Sequence, residues 1–455
     1  MNLQKEVFEA YRTHILADPE GNRAGGLAMK ESIERSPLNY QGVVDKTVHI
    51  PKVFDEETIS RFRKIVKISI GIFDSVIRGY RNDEAVRRLF PFSEELKKLI
   101  LLPSPYEGVL PIARLDLFYN EDNGDFQFCE INTDGTAAML RNLELRKALD
   151  HNPAHREVEK EYDLQPFELF DSWVNTFMGL YETAKEHRDD PHVAIVDFLE
   201  NATYREFEEF ARAFQRTGIS CEICDIRSLK YQDGSLFSEK GIKIDAIYRR
   251  AVTADIMAHY EEVTPFIEAV SDGAVFYAGA FETQLIHTKW LFYVLHHPDM
   301  RRLLTDEQKD FVDQHVPKTV ELSPEFISLK EVLDHKDSYI LKPMDAYASK
   351  GIYAAGREYD QRSWQDLCSK LYGTGMICQQ YCTQYLTPNI DYAWGDGEWH
   401  PYINMPGLYA YNGELAGILM RMACDEKIIV AHENERTAPV FVVKNRVPIE
   451  KKPCK

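Results

Sequence analysis

The 455-residue sequence predicts a mixed fold, α+β with a distinct α/β lobe and a mainly helical N-terminal region. Three patterns carry this expectation. Between Asp55 and Arg81 the apolar residues Ile59, Phe62, Val66, Ile70 and Phe73 recur at spacings of three and four, so one stripe of a helix faces a core. Residues 110–133 alternate apolar and polar positions around Glu121-Asp122-Asn123-Gly124, the pattern of a β-hairpin closed by a short turn. Residues 192–285 alternate strand-like and helix-like segments, as βαβ units do.

Taken in order, residues 1–104 read as the helical N-terminal region and residues 105–150 as the hairpin segment contributed to the core. In the α/β lobe, 190–285, HVAIVDF reads as a strand, followed by an amphipathic helix carrying Tyr204, Phe207, Phe210 and Phe214, then by CEICDI and KIDAIYRRA as strands. The aromatic stripe is expected to be core. No Gly-x-Gly-x-x-Gly follows a strand, so a nicotinamide or flavin site of the Rossmann kind has no support. Residues 286–455 read as an α+β unit. It comprises a helix containing Lys289, the strand SYILKP, the loop DAYASKG, a helix around 360–372, and the strands GMICQQYC, HPYINMPGLYA and ELAGILMRMA. A chain of this length suits two or three lobes with a site between them.

Composition narrows the function classes. No stretch approaches the roughly 20 apolar residues of a membrane span. The N-terminal MNLQKEVFEAYRTHIL mixes charges into a helical pattern without an apolar signal core, so a cytoplasmic location is expected. The eight cysteines are scattered; Cys221-x-x-Cys224 has no second pair and reads as part of a reduced core strand. A net charge of −19 argues against nucleic acid, which demands clustered Lys and Arg, and would attract a cationic small molecule such as a polyamine.

The hairpin carries the chemistry. Centred on Asn123, it pairs Asp116 with Glu130 and Arg114 with Asn132, all on one sheet face. Facing carboxylates repel, so a cation is expected between them. Carboxylate and amide oxygens are hard donors of the kind Mg²⁺ takes, completing its octahedron with water and phosphate oxygens. Asp116, Glu130 and Asn132 are therefore candidate ligands of a nucleotide-bound Mg²⁺, with Arg114 beside them to neutralise a phosphoryl group or an oxyanion. The alternative is a solvated face on which Arg114 pairs with both acids.

Further along, Lys342 ends an apolar strand that Pro343 prevents from simply continuing. The small-residue loop that follows can fold backbone N–H groups over phosphates, with Ser349, Lys350 and Gly351, although it is no Walker A motif. Lys289 lies among the core-like Trp290, Leu291 and Leu295, so its charge must reach outward or find an anion. The strand GMICQQYC can offer backbone and Gln379 to an adenine edge. Each feature alone is unspecific; the combination is the signal.

ARLDLFYNEDNGDFQFCEINTD resembles the Arg-x-Asp … Glu-x-Asn-x-Asp hairpin of the synthetase part of glutathionylspermidine synthases, a circularly permuted branch of the ATP-grasp superfamily. The Glu-x-Asn here precedes the lysines, the order of that branch. SYILKPMDAYASKGI resembles its phosphate-binding Lys-Pro strand and loop, and GELAGILMRMA its late strand ending in Arg. The resemblance extends over about 105–445 and leaves the first hundred residues unmatched.

The resemblance implies an ATP-grasp fold with an α/β pre-ATP-grasp lobe, and ATP and Mg²⁺ as cofactors. Asp116, Glu130 and Asn132 would hold the metal; Lys289, Lys342, Ser349, Lys350 and Gly351 would contact phosphates; Gln379, Gln380, Tyr381 and Cys382 would form the adenine hinge; Arg114 and Arg421 would face an acyl phosphate. The implied activity is an amide-forming carboxylate–amine ligase releasing ADP and phosphate. Its substrates would be a small-molecule carboxylate and an amine, a polyamine or amino acid, with no nucleic-acid or membrane partner. Glu433 and the Arg249-Arg250 pair are candidate substrate contacts. The sequence departs from the branch in its Ala-Ser-Lys-Gly phosphate loop, in lacking an amidase domain, and in the bland Gly-Thr-Ala-Ala after Asp134. Two other readings stand beside this one: an amino-acid or peptide ligase of a natural-product pathway, and a non-catalytic relative that binds a nucleotide or a partner.

Overall fold

The structure, a computed structural model, describes residues 2–40, 42–200, 202–344, 354–424, 428–431 and 433–447. Its longest helix, Glu56–Asn82, starts where the Asp55 side chain caps Thr58 N and buries Ile59, Phe62, Val66 and Phe73, the stripe expected from the spacing. The first hundred residues are mainly helical, and they also supply a strand, Lys52–Asp55, that pairs in parallel with Val440–Arg446. A third strand, Tyr162–Pro166, closes that small sheet.

The central element is a six-stranded sheet. Its long strand Trp399–Tyr411 pairs through its first half with Tyr385–Ile390, and through its second half with the hairpin strand Ile112–Tyr119. Glu414–Cys424 covers its other edge, followed by Arg436–Ala438. The α/β lobe is a separate parallel sheet in the order Phe276–Ala278, Ala246–Arg249, His192–Asp197, Ser220–Asp225. Val193 to Val196 are fully buried, as expected of a parallel strand covered on both faces. The helix Tyr204–Arg216 buries Phe207, Phe210 and Phe214 against it, so the aromatic stripe is core. Cys221 and Cys224 lie on the edge strand of this sheet, where burial pushes both thiols up, Cys224 to about 12.

A third sheet, antiparallel, runs Thr319–Glu321, Met376–Gln380, Tyr339–Pro343, Ala354–Ala355. It packs with Leu329–Asp334 and Gln361–Leu371 around its own small core of Leu322, Val332, Leu341, Trp364, Cys368 and Cys378, separate from the large core that runs from Val7 to Val443. The two antiparallel sheets therefore belong to bodies with independent cores, and the cleft between them is where function is sought.

One expected element is corrected. Lys289 is not on a helix: it sits in the break between the short helices Gln284–His287 and Leu291–His296. Thr288 leaves the helical backbone (ψ 134°) and its hydroxyl accepts from Trp290 N, so a β-branched capping residue ends one helix and opens the next. Among the described residues no helix is long and apolar enough to cross a membrane.

Candidate functional site

The hairpin register places Asp116 opposite Glu130 and Arg114 opposite Asn132. The tip, however, pairs Leu117 with Phe128 and Tyr119 with Phe126, one residue out of step with those pairs. A β-bulge at Cys129 absorbs the difference. Without it, Glu130 and Asn132 would turn toward Leu115 and Ala113 in the core; with it, they share the face of Arg114 and Asp116. The turn-centred pairing thus reaches the right partners only because the bulge offsets the true position of the turn.

On that face every carboxylate oxygen meets a cation. Arg114 grips Asp116 with Nε on Oδ1 at 2.8 Å and Nη2 on Oδ2 at 3.1 Å, and Asn132 Nδ2 donates to Oδ2 at 3.1 Å. Arg421 Nη2 also donates to Asp116 Oδ2 and lies 3.6 Å from Glu130 Oε1, while Lys289 Nζ lies 3.6 Å from Glu130 Oε2. Burial alone would raise the Glu130 carboxyl, but Lys289, Arg421, Lys342 and Arg114 outweigh it and hold it far below the usual carboxylate range. Glycine at 407 makes this approach possible: a Cβ there would lie 2.4 Å from Asp116 Oδ1 and 2.9 Å from Arg114 Cδ.

A cavity of about 320 Å³ opens between the two antiparallel sheets. The large sheet gives it Glu130, Arg421 and Met405; the small lobe gives it Lys342 and the run Gln379 to Cys382; Ile428 to Val430 and Glu433 complete the wall. The slot thus combines apolar walls, Met405 and Ile428 to Val430, with the charged groups Glu130, Lys342, Arg421 and Glu433. Lys342 is buried, with Nζ 2.7 Å from Gln379 Oε1 and 3.4 Å from the bulge carbonyl, Cys129 O. The Gln379 amide meets Lys342 and donates to Thr319 Oγ1 at 2.9 Å, so in the cavity wall it anchors the lysine. Gln380 N and Tyr381 N donate to Lys318 O and Ser338 O, and Arg357 stacks 3.8 Å from the Tyr381 ring centroid. Ser349, Lys350 and Gly351 lie outside the described residues.

Other expected contacts are not gathered at the cavity. Arg249 pairs with Asp134 at 2.7 Å and Arg250 with Glu206 at 3.0 Å, all four side chains almost fully buried, so both arginines are internally neutralised. Arg114 backs the cavity rather than lining it, because its Nη1 donates to Ala137 O, to which Tyr409 Oη also donates. Tyr409 and the Cys129 carbonyl are the contributors that the sequence reading missed. The skipped alternation in Phe126, Phe128 and Ile131 was a visible signal for the bulge; nothing local marked Tyr409.

The donor chemistry bears on the implied metal. Among the described residues no three His, Cys, Asp or Glu side chains are gathered as ligands; this face offers two carboxylates and one amide. Asn132 turns its nitrogen to Asp116, which leaves its amide oxygen for a cation, and the ionised Glu130 lines the cavity. Those two fit a hard divalent ion. Asp116 fits only if Arg421 yields.

Two antiparallel sheets on separate cores with a charged slot between them, next to a parallel α/β lobe, make an ATP-grasp-like fold of the glutathione synthetase kind. Among solved structures, the chain is similar to a glutathione synthetase-like effector, GSS30, from Globodera pallida, in its apo form. The TM-score is 0.58 with 10% sequence identity, over 92% of this chain and 97% of that chain. No protein-family model matches the sequence, and a search of curated proteins finds no match.

Proposed function

We propose that the chain is a Mg-ATP-dependent ligase that joins a carboxylate to an amine through an acyl phosphate, resembling glutathionylspermidine synthase with an acid substrate of its own. The observation that carries this reading is Glu130: an ionised carboxylate on the wall of a slot between two sheets, with Lys289, Lys342 and Arg421 around it. In this reading Asp116, Glu130 and Asn132 hold Mg²⁺, which screens the phosphates and supports in-line transfer. Lys342, fixed by Gln379, and Lys289 bind phosphate oxygens, while Gln380 to Cys382 flank the base. Arg421 neutralises the charge that develops on the transferred phosphoryl group, and Arg114 holds Asp116 in place for that task.

A second reading, a nucleotide-binding protein without turnover, is favoured by one observation: Asp116 Oδ2 is shared by Arg114, Arg421 and Asn132. The deciding experiment incubates the purified chain with Mg-ATP and pooled acids and amines, following ADP and products by mass. A condensed product that requires both pools supports the ligase. ATP binding with no turnover in any pool would leave the binding protein.

A further inference from the structure

We infer that Arg421 closes the unliganded site to a bare divalent cation, so that the metal enters only with nucleotide phosphates; the inference rests on the nucleotide reading above. Asp116 Oδ1 and Oδ2 face Arg114 at 2.8 and 3.1 Å, and Oδ2 also faces Arg421. Glu130 Oε1 faces Arg421 and Oε2 faces Lys289, each at 3.6 Å. With Lys342 beside them, four cationic side chains surround the two carboxylates of this face, and Arg421 is the one that contacts both. A lone divalent ion approaching Glu130 and Asp116 must displace Arg421 from both carboxylates and then stands beside its like charge. A nucleotide changes this, because its phosphates bring the negative charge that draws Arg421 and the lysines off the carboxylates.

Arg421 is built to exchange in this way. Its Nε is buried with no hydrogen-bond partner among the described residues, and the side chain, 16% exposed, lines the cavity into which phosphates would enter. A phosphate oxygen would satisfy a donor that has no acceptor among the described residues. Arg421 thus selects the metal–nucleotide complex over the free ion, a task separate from any part it plays in turnover.

The test is equilibrium binding on the full chain, with free Mn²⁺ followed by electron paramagnetic resonance and ADP by calorimetry. The wild type is expected to bind ADP in EDTA, to leave free Mn²⁺ unchanged when no nucleotide is present, and to take up Mn²⁺ once ADP is added. Arg421→Gln is expected to tighten metal-only binding by at least about tenfold, as loss of a nearby like charge requires. Adding Glu130→Gln to that variant should abolish the gain. Wild-type binding of Mn²⁺ alone as tight as with ADP, or a folded Arg421→Gln with unchanged metal-only affinity, overturns the inference. If Arg421→Gln does not fold, the wild-type comparison with and without ADP decides. If ADP binds under no condition the nucleotide reading falls, while the Mn²⁺ titrations still report on Arg421.

Discussion

Lys342 Nζ donates to Gln379 Oε1 at 2.7 Å across neighbouring strands, and the same amide donates to Thr319 Oγ1 at 2.9 Å. The lysine is therefore aimed before any ligand arrives. Replacing Gln379 with Leu leaves a buried ammonium short of its acceptor, and a hydrogen bond to a charged group contributes about 1.5–3 kcal/mol. The expected outcome is ADP affinity reduced by roughly tenfold or more, read by calorimetry, with far-UV circular dichroism unchanged.

Glu130 is the more exposed of the two carboxylates, at 23% against 0% for Asp116, so its isostere should be tolerated by the fold. Glu130→Gln is expected to abolish Mg-dependent ADP release while shifting the melting temperature by only a few degrees. Normal turnover by this variant would remove Glu130 from the metal set.

Gly407 passes directly over Asp116, and an added Cβ would overlap the carboxylate and the arginine that holds it. Overpacking of this kind costs about 1–3 kcal/mol. Gly407→Ala is expected to lower stability by that amount in urea unfolding and to weaken Mn-ADP binding. A neutral result would show that the strand shifts freely.

The Arg249–Asp134 pair is almost completely buried and also receives Thr253 N on Asp134. Arg249→Met leaves a buried carboxylate alone, which costs roughly 3–5 kcal/mol. The double variant Arg249→Met with Asp134→Leu should recover most of that loss. If instead the single change leaves urea stability intact but impairs use of the acid substrate, Arg249 contacts substrate after all.

Acid should loosen the N-terminal packing. His49, held by Asn22 at 3.0 Å, and His155, held by the Tyr11 hydroxyl at 2.6 Å, are buried, and burial lowers them to about 3 and about 4. Both folded values lie below the unfolded one. The stabilisation is thus complete above pH 6.5 and declines as pH falls toward those values, because the unfolded chain takes up protons that the folded chain refuses. By pH 5 each histidine should have cost about 2 kcal/mol. Urea midpoints measured between pH 7.5 and 5 check this, and His155→Phe should flatten the decline.

Much of the site was legible because it is local. The Asp116–Glu130 and Arg114–Asn132 pairs follow from two strands and one turn, and Lys342 from a strand that ends at Pro343. The long helix Glu56–Asn82 and the βαβ lobe followed equally from apolar spacing. What escaped was non-local. Nothing near Gln379 says that its amide meets Lys342, and nothing near Arg249 announces Asp134, more than a hundred residues earlier. Lys289 was misplaced for a local reason, since helix propensity outweighed the capping capacity of Thr288.

The bulge at Cys129 makes the hairpin unequal in its tolerance of changes in length. The tip, from Asn120 to Asp125, can gain or lose residues outside the paired strands, and the facing side chains keep their partners. Deleting the single residue Cys129 would instead rotate Glu130 and Asn132 into the hydrophobic interior and withdraw the carbonyl that Lys342 touches. Among diverging relatives, indels should therefore gather at the tip and spare the bulge, even where the cysteine itself is replaced, because what is retained there is a place in the count of residues rather than a thiol.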